Sequence, residues 1–267
     1  MNTKKCIPLI LTSALLCSPF ASGATLGSDN ASATAYDGGW TDGTDGSITG
    51  PGAFGQWFLN ADTTDIVHEV TSVSSLSSNA PNLDTGGRSF RMLGRQVGGD
   101  PNEATAFRFI DPAGLSVGQT FSIDIAVNFR NGFKGIDLRS SAVGDPTIFN
   151  FNIGGDDYVV NNAATGNGSI GNTYSDDTLF NVAFEQTSAG GGTWSITRSG
   201  GVTDFDTGTY TGVARSIKLY AGGTDGNNQD ALFANNLLTV PEPAQVAFML
   251  GFAALIGVSV RKYRVRH

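Results

Sequence analysis

The sequence predicts an all-β protein, an antiparallel two-sheet sandwich of jelly-roll or concanavalin-like type. Three observations carry that expectation. Several segments alternate apolar and polar residues with period two, the pattern of a strand with one buried face. Turn-forming residues crowd between them: the 267-residue chain holds 36 glycines, with abundant Asn, Asp, Ser and Thr, a mix that disfavours long helices and suits tight turns. No long amphipathic run offers a helix to cover a sheet face. A hydrophobic content of 40% is enough for a packed core.

Residues 1–24 read as a secretory signal peptide. Lys4 and Lys5 supply the basic start, Ile7 to Leu16 the apolar run, and "ASGA" the small residues at the cleavage site near Gly23 or Ala24. The apolar run is too short to span a bilayer. Both cysteines, Cys6 and Cys17, lie in this segment. The remainder then has no disulfide and no cysteine-ligated metal site.

Residues 25–239 read as one β-sandwich ectodomain without a fixed-period repeat. In "TFSIDIAVNFR", Phe121, Ile123, Ile125, Val127 and Phe129 share one face, and Ser122, Asp124, Asn128 and Arg130 the other. In "IFNFNIGG", Phe149, Phe151 and Ile153 oppose Asn150 and Asn152. "LFNVAFEQT" buries Phe180, Val182 and Phe184 and leaves Asn181 and Glu185 out. "TWSITRS" and "SIKLYAGG" repeat the pattern with Trp194 and Ile196, then Ile217 and Leu219. Phe121, Ile123, Ile125, Phe149, Phe151, Phe180, Phe184 and Trp194 are therefore expected in one core between two sheets.

Charge excludes one class of partner. The net charge is −8, but Lys4, Lys5, Arg261, Lys262, Arg264 and Arg266 stand at the ends, and only Glu242 among the acidic residues joins them. The middle of the chain carries about −13, which argues against nucleic acid or anionic lipid as its ligand.

Residues 240–267 have a different character. Pro241, Glu242 and Pro243 precede an apolar stretch, 244–260, in which Gln245 and Ser259 are the only strongly polar residues. At ~1.5 Å per residue in a helix this stretch reaches roughly 25 Å, a minimal single transmembrane helix. The basic end, 261–267, is expected to stay cytoplasmic. Two prolines around a glutamate keep the backbone extended and open to a protease. The order Pro-Glu-Pro, short apolar span, arginine-rich end resembles the PEP-CTERM sorting tail recognised by exosortases, a tail also found on certain ice-binding proteins. The resemblance implies export by a bacterium that makes exopolysaccharide, an inner-membrane-anchored precursor, and cleavage by an exosortase that recognises Pro241, Glu242 and Pro243. The destination it implies is the cell surface or extracellular matrix of a biofilm. "AYDGGW", "GAFGQWFL", "GGRSF", "AFRF" and "LSVGQTFSID" look like a sandwich body that recurs on proteins with such tails, and that likeness implies no reaction.

The residues do not read as an enzyme. Retaining glycoside hydrolysis needs two carboxylates about 5 Å apart. Where laminarinase-like enzymes carry Glu-x-Asp-x-x-Glu, "FSIDIAVNF" has Ser122 and Val127 in place of the glutamates. Asp204 and Asp206 in "TDFDTG" read as a solvated turn, and His68, alone in the body, as a surface strand residue. No serine elbow, P-loop or dinucleotide fingerprint is present. No cofactor is required. Asp37, Asp42 and Asp45 in "YDGGWTDGTDGS" are candidate calcium ligands, since carboxylates on a glycine-rich loop can wrap an ion that takes six to eight oxygens. Asp225 and Asp230 form a similar loop before the last strand.

The remaining candidate is glycan binding. Sugar sites combine carboxylate and amide acceptors with an aromatic platform. Asp124, Asn128, Asp137, Arg139, Asn150, Asn152, Glu185 and Tyr220, all off the expected core, supply that chemistry. The expectation is an exported, exosortase-processed surface or matrix protein with a non-catalytic structural or adhesive body. A lectin-like module is the alternative and a hydrolase comes last.

Overall fold

Period-two alternation becomes a ladder wherever two such runs meet. The structure is a computed structural model and describes residues 26–47, 54–71, 83–110, 113–141, 146–162, 166–170, 174–175, 178–227 and 230–241. These belong to one compact unit, Ala24–Glu242. Its strands are β1 (Gly27–Asp29), β2 (Trp57–Leu59), β3 (Ile66–Thr71), β4 (Ser89–Gly94), β5 (Gln96–Val97), β6 (Asp100–Pro101), β7 (Glu103–Phe109), β8 (Thr120–Val127), β9 (Phe133–Arg139), β10 (Thr147–Asn152), β11 (Val159–Asn162), β12 (Gly166–Ser169), β13 (Thr178–Ser188), β14 (Gly191–Ser199), β15 (Asp204–Thr211), β16 (Ser216–Gly222) and β17 (Leu232–Val240). The helix described is one 3-10 turn, Thr34–Tyr36. Among the described residues no helix is long and apolar enough to cross a membrane. The signal peptide, Glu242, Pro243 and the span 244–260 lie outside them.

Two antiparallel sheets form the sandwich. One runs β15-β14-β13-β8-β17-β4-β3, with β1 added on β17; the other runs β12-β11-β10-β9-β16-β7-β2. Aromatic rings bridge them. Phe151 of β10 meets Phe180 of β13 edge to face at 5.0 Å, and Phe149 meets Phe184 at 5.1 Å and Trp194 at 5.2 Å. All eight residues expected in the core are buried in one cluster, so the period-two phase of β8, β10, β13 and β14 is correct. Each such ring contact adds about 0.5–1.5 kcal/mol beyond its buried area.

The first run is shorter than the alternation suggests. β8 ends at Val127, where its ladder with Thr178 and Leu232 ends. Phe129 lies beyond any partner strand and is 41% exposed. Asp204 and Asp206 are in a strand, not a turn. They sit in β15, in register with Arg198 and Ile196 of β14, because the adjacent ladder extends far enough to recruit them.

β17 changes partners midway, and its sequence "ANNL" explains how. It pairs with β4 up to Ala234 and with β1 from Leu237. At the change its register with β8 slips between Asn235 and Leu238, and Asn236 adopts φ 53°, a left-handed conformation that asparagine tolerates. The buried Asn235 side chain fills the gap. Its amide donates to the carbonyls of Leu83 and Arg88, both at 2.9 Å, and its oxygen accepts the Ala31 N–H at 3.0 Å. The last strand runs through Val240, which pairs with Thr120, and Pro241 follows at once.

Candidate functional site

The outer face of the seven-stranded sheet carries a hydrogen-bonded polar arrangement beside an open pocket. Register fixes it. Phe58 of β2 stands opposite Phe107 of β7, which stands opposite Lys218 of β16, then Asp137 of β9, Asn150 of β10 and Asn161 of β11. At ~4.8 Å between strands this row crosses about 24 Å. Thr105, Tyr220, Gly135 and Asn152 form the next row, and Phe109, Ser216, Arg139 and Thr147 flank the first on its other side.

Hydrogen bonds lock the middle of the rows. The Asn150 amide donates to Asp137 Oδ1 and to the Tyr220 hydroxyl, each at 2.8 Å, and its oxygen accepts from Asn161 at 2.8 Å. Asp137 also accepts from Arg139 at 3.1 Å and Thr147 at 3.4 Å. Tyr220 reaches across β9 because Gly135 lies between. A Cβ at Gly135 would come within 2.8 Å of the Tyr220 hydroxyl and would also collide with the Phe151 carbonyl. The ring is thus 7% exposed although it faces outward. Burial pushes the Tyr220 hydroxyl pKa above the usual phenol value, aided by Asp137 and Glu103 and opposed by the Asn150 hydrogen bond.

At the β2 end the face deepens into an open pocket of about 370 Å³, lined by Phe58, Leu59, Asn60, Thr105, Phe107, Arg139 and Lys218. Phe58, 39% exposed, packs against Phe107 at 6.2 Å and Phe109 at 6.5 Å. Lys218 pairs with Glu103 at 2.6 Å and lies 5.5 Å from the Tyr220 ring centre. Asn60 is already engaged with backbone, donating to the Glu103 carbonyl at 2.8 Å and accepting the Thr105 N–H at 2.7 Å.

The eight glycan candidates are therefore divided. Asp137, Arg139, Asn150, Asn152 and Tyr220 share this face. Asp124 and Glu185 belong to the other sheet, where Asp124 accepts from Asn181 at 2.8 Å and Asn236 at 2.9 Å. Asn128 follows the end of β8, and its carbonyl accepts from the Tyr174 hydroxyl at 3.1 Å.

The three candidate calcium ligands are engaged separately. Asp37 pairs with Arg88 at 2.7 Å, Asp42 accepts the Leu59 N–H at 2.9 Å, and Asp45 pairs with Arg108 at 2.7 Å. Among the described residues no group of three or more His, Cys, Asp or Glu side chains is placed to hold a metal ion.

Arg108 leads to a second network, between the sheets. Its side chain is 1% exposed; it pairs with Asp29, which is fully enclosed, as well as with Asp45. Nε donates to the Gly55 carbonyl at 2.6 Å, and the guanidinium lies 5.0 Å from the Phe54 ring and 4.9 Å from Trp57. The Tyr36 hydroxyl donates to Asp29 at 2.5 Å and accepts from Trp57 Nε1 at 3.0 Å. Burial pushes the Asp29 carboxyl pKa up, against the pull of Arg108 and Tyr36, and raises that of the Tyr36 hydroxyl.

His68 belongs with this interior set and is not a surface residue. It is 5% exposed, with Nδ1 2.7 Å from Asp62, Nε2 3.1 Å from the Thr105 carbonyl, and Trp40 against its ring at 5.6 Å. At one end of the sandwich the buried Lys134 donates to the carbonyls of Phe129 at 2.7 Å and Asp230 at 2.6 Å. Burial lowers the Lys134 ammonium pKa to about 8, with Asp230 opposing.

Sequence reasoning missed Phe58, Phe107 and Lys218 on the outer face, and Asp29, Tyr36 and Arg108 inside. "EATAFRF" does alternate, but its phase puts phenylalanines outward and arginine inward, against ordinary burial preference.

No family model and no curated protein matches the chain. Solved structures with a related chain path include one titled for human gut microbiota expressing endo-acting O-glycanases to initiate mucin breakdown (TM-score 0.39, 10% identity, covering 69% of this chain and 98% of that one). Another is an alginate lyase of polysaccharide lyase family 7 (TM-score 0.37, 13% identity, 69% and 92%). A third is a GH131 β-glucanase catalytic domain from Podospora anserina (TM-score 0.40, 7% identity, 70% and 86%).

Proposed function

We propose that this is an exported, exosortase-processed protein of the cell surface or exopolysaccharide matrix, whose body holds a glycan without catalysis. One observation carries the glycan reading: the seven-stranded sheet presents an exposed phenylalanine and an open pocket that continue into a row of amides, carboxylate and phenol across the strands. Such a row is long enough for several sugar rings, and an aromatic edge beside hydrogen-bonding groups suits their mixed apolar and polar surfaces. The non-catalytic part rests on how the acids of the face are engaged. Asp137 accepts from three donors, Arg139, Thr147 and Asn150, an arrangement that suits a structural carboxylate better than a general acid or base.

The export part rests on the N-terminal segment and on the Pro241-Glu242-Pro243 tail. Intact mass of protein recovered from the native matrix tests it: the mature chain should lack 244–267, and replacing Pro241, Glu242 and Pro243 by alanine should leave the precursor in the membrane. Mature protein that still ends at His267 would mean a plain anchor.

The glycan reading is tested by presenting the full chain, in mild detergent, to an array of bacterial and plant polysaccharides. Retention should fall at least tenfold in Phe58→Ala and in Asn150→Ala. Absence of retention on every saccharide overturns the reading, as does retention unchanged in both variants.

A further inference from the structure

We infer that the pocket on the seven-stranded sheet selects acidic saccharides, with a uronate carboxylate set between Arg139 and Lys218. This rests on the glycan-binding reading and adds the chemical class of the ligand.

The lining is unlike the rest of the molecule. In a chain of net charge −8, the two charged side chains lining this pocket are both cations, Arg139 and Lys218, and no carboxylate lines it. Lys218 stands opposite Asp137, two residues before Arg139 on the neighbouring strand, so the two cations are diagonal neighbours, roughly 7–8 Å apart at their roots. Long side chains from that spacing can converge on one carboxylate above the sheet.

The groups free to meet a ligand point the same way. Asn60 and the Thr105 N–H satisfy each other and the Glu103 carbonyl. Asn150 spends both amide hydrogens on Asp137 and Tyr220. Arg139, by contrast, makes one side-chain hydrogen bond among the described residues, at 3.1 Å to Asp137, and its guanidinium lines the pocket. A guanidinium has five N–H donors in a fork that fits a carboxylate. Lys218 pairs with Glu103, the two side chains being 22% and 35% exposed, and an incoming carboxylate would take the place of Glu103 at the ammonium. Phe58 then supplies an apolar floor for the ring that bears the acid.

The experiment compares four probes on the full chain in mild detergent, by calorimetry at low and at 0.5 M salt: an oligogalacturonate, its methyl ester, a sulfated galactan oligomer and a neutral glucan oligomer. The uronate should bind at least tenfold more tightly than its ester, and salt should weaken it. Arg139→Gln and Lys218→Gln should each weaken uronate binding much more than ester binding and so remove most of that preference, whereas Phe58→Ala should weaken both alike. Equal binding of acid and ester, or preference for the sulfated or neutral oligomer, overturns the acidic-sugar inference and leaves glycan binding intact. Uronate preference that persists in both charge variants overturns the assignment to this pocket. Absence of binding by all four, together with an empty polysaccharide array, removes the underlying reading itself.

Discussion

Two networks in this protein use the same residue types, arginine, aspartate and tyrosine, for opposite ends. Around Arg108 the groups are sealed between the sheets: Asp29 is enclosed, Tyr36 caps it, and rings of Phe54 and Trp57 cover the guanidinium. Around Asp137 the groups lie on the outer face of the seven-stranded sheet, beside an open pocket. Enclosure decides the difference. A buried charge left without its partner is very costly, so the first network ties β1 to β7. The Asp137–Arg139 pair is also largely buried, its side chains 10% and 14% exposed, but Arg139 lines the open pocket, where a ligand can reach it.

The largest effect should come from Arg108→Ala. It strands Asp29 in the interior and should cost roughly 3–5 kcal/mol, read as a lowered urea midpoint. A loss below 1 kcal/mol would erase the contrast between the networks. Gly135→Ala probes the open network through its backbone. The new methyl displaces Tyr220 and presses on β10, so about 1–3 kcal/mol should be lost, with glycan retention falling in step. Unchanged retention would show that Tyr220 is not part of the surface.

The pH profile gives a third comparison, between buried and solvated ionisation. Lys134 has its folded pKa lowered to about 8 from 10.5, so between those values the unfolded chain binds more protons and stability rises with pH. Below pH 8 both states hold the proton and this contribution is constant. Tyr36, Tyr210 and Tyr220 have raised pKa values, so above pH 10 the folded state holds more protons and stability falls again. Denaturation from pH 7 to 11 should show a rise on the order of 2 kcal/mol and then a decline. Lys134→Met should abolish the rise and keep the decline. A rise that survives in that variant would assign it to another group. The smallest effect on stability is expected from Phe58→Ala, about 1 kcal/mol or less, although it should cost most of the glycan affinity. Equal losses in both would mark Phe58 as a packing residue.

How legible each part was depended on whether one strand carried the information. β8, β10, β13 and β14 alternate strongly, and the residues that alternate are those that face each other across the sandwich. β7 misleads, because its alternation places Phe107 and Phe109 outward under Phe58 and turns Arg108 inward. Nothing within seven residues could reveal that Asp29, 79 positions earlier, would receive that arginine. The glycan candidates are divided between faces for the same reason: polar positions are visible in each strand, but the sheet to which each strand belongs is not.

By itself the sequence determined the class of fold, the phase of the main strands and the core rings, because burying one face of a strand is a local, period-two requirement. Only the tertiary structure decided which outer face gathers Asp137, Arg139, Asn150, Asn152 and Tyr220, and that Asp45 serves Arg108. Strand order and register join residues far apart in the chain, and a one-residue or one-strand change in that pairing would send the same side chains to the opposite surface.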